Sequence, residues 1–210
     1  MDSHVISSIE ALEAVYERRP SEASMVKEST VVTDEYKRLI EASPFVALAS
    51  VGAEEIDCSP RGDRKGFVSV HDERTLMLPG RKGNNRLDTL RNIVLDPRVA
   101  LMFMIPGSGT ILRVNGRAHL TTDPELLASF EEQGKLPRSV VVIKVTVMYF
   151  QCSRAVLRAK LWSTDEHVEP DTLPTPGEIL AAQTVDRPEG PIDGKSYDEL
   201  WPGRAEESMW

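Results

Sequence analysis

The chain has 210 residues, 40% hydrophobic and 28% charged, with 13 glycines and 14 prolines. That is the composition of a globular protein with one sizeable core, and it excludes collagen-like, wholly disordered and disulfide-scaffold chains. With 25 basic residues against 33 acidic ones the formal charge is −8, which repels polyanions, so no nucleic-acid partner is expected.

The N-terminal Met-Asp-Ser-His-Val-Ile has neither the basic start nor the apolar run of an export signal. No apolar stretch approaches the roughly 18 residues of a membrane span, so a cytoplasmic protein with no membrane partner is expected. Ser7 to Arg19 sets Ile9, Leu12, Val15 and Tyr16 at helical spacing, and Thr33 to Ala42 repeats the pattern with Tyr36, Leu39 and Ile40. Residues 1–43 therefore read as two helices ahead of the core.

After Pro44 the period changes to alternation and short apolar runs. Six strands are predicted at 45–51, 66–70, 75–78, 99–105, 110–120 and 140–152. Helices are predicted at 85–95, with Leu87, Leu90, Ile93 and Val94 as the apolar face, and at 124–132 behind Thr-Thr-Asp-Pro. A mainly β domain over 44–162, with peripheral helices and strands closing into a barrel or split barrel, accounts for this order.

Residues 163–210 hold twelve acidic side chains, three basic ones and six prolines, a composition that resists regular structure outside one short helix at 176–184. This acidic, proline-rich extension nevertheless carries Tyr197, Trp201 and Trp210, which are too apolar for a solvated tail. It is expected to wrap the domain or a partner in extended form.

Cys58 and Cys152 match no metal-ligand spacing and read as small core residues. His4, His71, His119 and His167 are scattered, so no metal site is predicted. Gly-x-Ser-x-Gly, P-loop and Gly-x-Gly-x-x-Gly motifs are absent. If the protein is an enzyme, a cofactor carries its chemistry.

The densest basic segment, Gly80-Arg81-Lys82-Gly83-Asn84-Asn85-Arg86, lies between a strand and a helix. Glycine-rich turns at helix starts bind anions through unpaired N–H groups and the helix dipole. Asn85 is placed to cap the helix. Arg86 is unfavourable in a first turn unless an anion compensates it. A solvated turn before a salt-bridged helix is the alternative. Cys58-Ser59-Pro60-Arg61-Gly62-Asp63 reads as a turn with a hydroxyl, a guanidinium and a carboxylate. Asn115-Gly116 reads as a bulge that leaves Arg113 facing either a ligand or solvent.

These clusters also carry a resemblance. Ser-Pro-Arg-Gly-Asp at 59–63, Gly-Phe-Val at 66–68, Thr-Leu-Met-Leu-Pro at 75–79, Gly-Asn-Asn-Arg-Leu-Asp-Thr-Leu-Arg-Asn-Ile at 83–93, Pro-Arg-Val at 97–99 and Leu-Arg-Val-Asn-Gly-Arg-Ala at 112–118 resemble the pyridoxamine 5′-phosphate oxidase-like, FMN-binding split-barrel proteins. Within them the match is to a bacterial subgroup of uncharacterised FMN-dependent enzymes, over roughly residues 32–162. The resemblance implies a homodimer with FMN at the subunit interface. It places the flavin phosphate on Arg81, Asn84, Asn85 and Arg86, with Arg61 on the phosphate, ribityl chain or ring, and Leu78 and Pro79 along the flavin.

True members of that enzyme class carry an Arg and His arrangement in the C-terminal region. Here the tail after Trp162 has one histidine, His167, and no arginine before Arg187. The reading is therefore an FMN-dependent oxidoreductase acting on an unidentified small organic substrate, not a vitamin B6 oxidase, with no side chain named as catalytic. A non-catalytic flavin carrier or sensor is the alternative, and a barrel that binds haem or a deazaflavin is a third.

Overall fold

Helix caps and strand alternation set the order of elements. In the computed structural model, which describes residues 4–17 and 19–209, Ser8 opens α1 (Ile9–Tyr16) by accepting from the Ala11 N–H. α2 (Glu22–Val26) follows, and Thr33 caps α3 (Asp34–Ala42) by accepting from the Tyr36 N–H. Three helical segments thus precede the sheet instead of two, because the five residues of α2 are too few to show a period.

The central segment runs β1 (Phe45–Val51), β2 (Ile56–Gly62), β3 (Ser69–Asp72), β4 (Thr75–Pro79), α4 (Asp88–Leu95), β5 (Arg98–Met104), β6 (Ile111–Thr121), α5 (Pro124–Ser129) and β7 (Val140–Gln151). Its strands form one antiparallel sheet in the order β2-β1-β5-β6-β7-β4-β3. The β4–β7 register sets Pro79 opposite Val140, which brings the end of β4 beside the segment that enters β7.

Two expectations about strands change. The Cys58–Asp63 cluster is not a turn: its first five residues lie in β2, an edge strand that pairs only with β1. There Pro60 is tolerated because an edge strand leaves one side of its backbone unpaired. Alternation in β2 is real but polar, since Asp57, Ser59 and Arg61 take the half-buried face. Thr89 Oγ1 of α4 donates to Asp57 on that face. The strand expected at 66–70 begins instead at Ser69.

Gly116 sits where the β6–β7 register shifts. A Cβ there would lie 2.6 Å from the Lys144 carbonyl oxygen, so the bulge requires glycine. Arg113 faces outward and stacks its guanidinium 5.2 Å from the centre of the Tyr149 ring.

The core lies between the sheet, α3 and α4. Ile40, Val46, Leu48, Leu101, Phe103, Leu112, Ile143 and Met148 are all sealed from solvent. Burial of each such side chain contributes about 1.5–3 kcal/mol. Neither cysteine belongs to this core. Cys58 is on the exposed face of β2 and Cys152 follows β7, and both are free and solvent-exposed.

The C-terminal extension is more regular than its composition suggests. After α6 (Arg154–Arg158) come α7 (Pro176–Gln183), α8 (Gly194–Glu199) and α9 (Trp201–Ser208). Local capping overcomes the poor propensity: Thr175 and Glu178 close a capping box on α7, and Asp193 accepts from the Ser196 N–H at α8. Asp198 ties α8 to α7 by accepting from the Gly177 N–H at 2.9 Å and from Thr175 Oγ1 at 2.5 Å. The expected extended wrap is therefore a set of short helices. Trp210 lies outside the described residues. Among those residues no helix is long and apolar enough to cross a membrane.

Candidate anion-binding site

The segment between β4 and α4 is held from both ends. Gly80 extends the β4–β7 ladder: its N–H donates to the Ser139 carbonyl at 2.8 Å and its carbonyl accepts from the Arg138 N–H at 3.1 Å. A Cβ on Gly80 would lie 2.8 Å from Ser139 Oγ and 3.1 Å from the Ser139 carbonyl oxygen, so a larger residue would force Ser139 to give way. Further along, Asn84 Oδ1 accepts from the Arg86 N–H at 3.0 Å, a local turn that asparagine favours. Asn85 follows with a φ of 60°, a left-handed conformation that asparagine tolerates better than most residues.

This loop, β2 and the segment before β7 enclose a cavity of about 100 Å³. That is room for a phosphate-sized group and less than a drug-sized ligand fills. Arg61, Arg81, Lys82, Arg86 and Arg138 line it, and among the described residues no acidic one does. Asn84 and Asn85 complete the wall. Of the sequence-expected ligands, Arg61, Arg81, Asn84, Asn85 and Arg86 are brought together here. Leu78 and Pro79 are not: both are buried within β4, and Gly80 takes the lining position next to them.

The basic side chains are not equivalent. Arg81 donates from Nε to Asp63 Oδ2 at 2.8 Å and from Nη1 to the Phe130 carbonyl at 2.7 Å, with the Asp63 side chain only 2% exposed. Arg86 is 81% exposed and pairs with Asp88 at 2.5 Å. The hydrogen bond it donates to Asp88 holds its guanidinium above the ordinary value. Asp88 in the first turn of α4 thus supplies the compensation that the sequence reading sought from an external anion.

Asn85 does not cap α4. Leu87 occupies that position without a side-chain bond, and Asn85 Oδ1 instead accepts from Arg138 Nη1 at 2.8 Å. Arg61 differs from the others, because its Nε is buried and has no hydrogen-bond partner among the described residues. Burial pulls its guanidinium below the ordinary value, and the charge of Asp57 opposes that pull.

Arg138 and Ser139 join the site through the pairing of β4 with β7, and no local pattern marks them. Only knowledge that Pro79 faces Val140 would have found them. The arrangement suits a tetrahedral oxyanion: convergent guanidiniums, a glycine-permitted approach and a buried donor awaiting an acceptor.

Residues 32–152 match the protein family described as pyridoxamine 5′-phosphate oxidase. The chain belongs to this family. A comparison with curated proteins finds no significant match. Among solved structures, the chain is similar to HupZ of Group A Streptococcus, at 18% identity over 58% of this chain and 94% of that one, with a TM-score of 0.47. It is similar to general stress protein 26 of Bacillus anthracis at 14% identity, over 54% of this chain and 88% of that one, with a TM-score of 0.42. It is also similar to the FAD binding protein of Mycobacterium smegmatis at 14% identity, over 58% and 97% of the two chains, with a TM-score of 0.40.

Proposed function

We propose that the chain is an FMN-dependent oxidoreductase whose flavin phosphate occupies the cavity between β2, the 80–87 loop and the segment entering β7. The unpartnered, buried Nε of Arg61 carries this reading, because a desolvated donor costs about 1–3 kcal/mol unless an acceptor reaches it. A phosphomonoester supplies that acceptor. The residues present fit it: Arg61, Asn84, Asn85 and Arg86 from the expected set, with Arg138 added and Arg81 bracing the loop through Asp63.

In this reading residues 44–162 form the flavin-holding split barrel, flanked by 1–43 and 163–210, and two copies assemble with flavin at their interface. The bound flavin would supply hydride exchange with a small organic substrate or a nicotinamide donor. The chain itself binds the phosphate, excludes water from Arg61 and fixes the flavin's position through the Gly80 turn. Family membership supports flavin as the ligand. The lack of an Arg and His arrangement after Trp162 supports a substrate other than pyridoxamine phosphate.

The test is the visible spectrum and mass of the ligand that co-purifies with the full chain. Released FMN is expected, and haem or a deazaflavin would overturn the reading. Reduced flavin that reoxidises only when a specific acceptor is added marks an enzyme. Indifference to all acceptors marks a carrier or sensor.

A further inference from the structure

α1 has an apolar stripe with nothing beneath it. Ile9, Leu12 and Tyr16 recur at helical spacing, yet no residue of α1 is buried, and Ile9 and Tyr16 are 64% and 71% exposed. Eight residues are too few to sustain a helix in water without a surface to pack on. The N-terminal arm meets the sheet after α2, where Lys27 lies over the Tyr149 and Phe150 rings and Ser29 exchanges two backbone hydrogen bonds with Met148.

A second surface lacks cover. Antiparallel strands with one face in the core carry polar residues on the other when that face meets water. The outer face of β1 and β5 instead presents Ala47, Ala49, Val51, Ala100 and Met102, none of them fully buried. It opens into a groove of about 510 Å³ lined by Arg98 and Arg117 and, among the described residues, by no acidic side chain and none from the arm.

We propose that α1 of one copy of this chain lies in the β1–β5–β6 groove of a second copy, its Ile9–Leu12–Tyr16 stripe on the apolar floor. Charge complementarity selects this occupant. α1 and its terminal residue carry Glu10, Glu13 and Glu17 and no basic side chain, opposite a groove whose charged lining residues are Arg117 and Arg98, the latter already paired with Asp96. Length agrees as well: eight helical residues extend about 12 Å, and three neighbouring strands span about 10 Å. A two-fold axis makes the contact twice, once for each arm. The inference rests on the homodimer of the proposed function and goes beyond it, since none of these residues belongs to the phosphate cavity.

The test uses the full chain in a Cys58→Ser, Cys152→Ser background. One preparation carries Leu12→Cys, and a mass-tagged second carries Ala100→Cys. After mixing and treatment with a short bis-maleimide, the covalent product that joins tagged to untagged chain should exceed either self-linked product at least fivefold. A third preparation carrying both cysteines should link between chains and not within one. Equal or smaller yields of the mixed product overturn the proposal, as does a product confined to one chain. Sedimentation of the parent is read separately. A dimer without the mixed cross-link overturns the arm contact and leaves the homodimer standing, and a monomer overturns both. In a second line of evidence, Arg117→Glu should weaken dimerisation at least tenfold, while flavin affinity is unchanged at protein concentrations that keep the variant dimeric. Unchanged dimerisation would also overturn the charge-matched docking.

Discussion

Arg138 Nη1 donates to Asn85 Oδ1 over 2.8 Å, joining the segment that enters β7 to the turn that enters α4. Both residues line the cavity, where β4–β7 pairing brings the segment before β7 beside the end of β4. Asn85 has a φ of 60° with this bond in place, so one side-chain contact ties the left-handed turn to the strand behind it.

Arg61 should dominate recognition of the phosphate. Arg61→Met removes a charge-assisted donor, about 1.5–3 kcal/mol, and should weaken FMN binding by an order of magnitude or more. Riboflavin, which lacks the phosphate, should bind as before. Arg86→Ala should do less, because Arg86 is exposed and already paired with Asp88. Fluorescence titration of both ligands against both variants measures the ranking, and equal losses for FMN and riboflavin would remove Arg61 from the phosphate site.

The Asp63–Arg81 pair should be structural. Losing the carboxylate of a buried pair costs about 3–5 kcal/mol, so Asp63→Ala should shift the urea midpoint by a large fraction of the stability of a typical domain. The retained bond from Arg81 to Phe130 places the effect at the lower end of that range. Replacing both partners, Asp63→Leu with Arg81→Met, should recover most of the loss. A single variant as stable as the parent would show that the pair contributes nothing.

How far the sequence revealed this arrangement depended on whether a residue's role was local. The apolar strands β1, β4, β5, β6 and β7 and helix α3 were legible because their inward faces are hydrophobic. β2 was not, since its half-buried face is Asp57, Ser59 and Arg61, which serve α4 and the cavity, so hydrophobicity carries no period there. The 80–86 loop was legible as a basic, glycine-rich turn ahead of a helix, and the structure places it between β4 and α4. The partners that decide each arginine's role were not, because Asp63, Phe130 and Asn85 meet Arg81 and Arg138 only through tertiary contact. α7 was legible at 176–184, but α8 and α9 were missed for a related reason: the cap at Asp193 and the α7–α8 contact outweigh composition.

Acid should expose the contribution of Asp96. Its carboxyl is lowered from 3.8 to about 2, first by hydrogen bonds from the Arg98 side chain and next by the Arg98 N–H. The folded form therefore binds the proton less readily than the unfolded form. The stabilisation is fully present above the unfolded value and is lost as pH falls through about 2. The stability gap between the parent and Asp96→Asn should be constant above about pH 4 and should narrow steadily below it. A gap that stayed flat across that window in chemical denaturation would assign the effect of the substitution to something other than this carboxylate.

The C-terminal extension should shape access to the flavin without holding it. Lys82 Nζ, on the cavity loop, donates to the Glu207 carbonyl of α9 at 3.3 Å, which brings the end of the chain to the rim of the proposed phosphate site. The rest of the extension is held by its own contacts, with Asp198 bridging α7 and α8 and Arg204 stacked 4.0 Å from the centre of the Tyr197 ring. Its acidic character opposes a direct grip on phosphate. Deleting residues 170–210 should leave FMN bound and the assembly unchanged, while a soluble quencher reaches the flavin more readily. Lys82→Ala in the full chain should reproduce part of that increase, since it loosens only the last contact. Loss of flavin from the truncated protein would make the extension part of the cofactor site. Unchanged quenching in both variants would show that α9 rests on the loop without covering the flavin, and the exposed Trp201 would then point to an external partner.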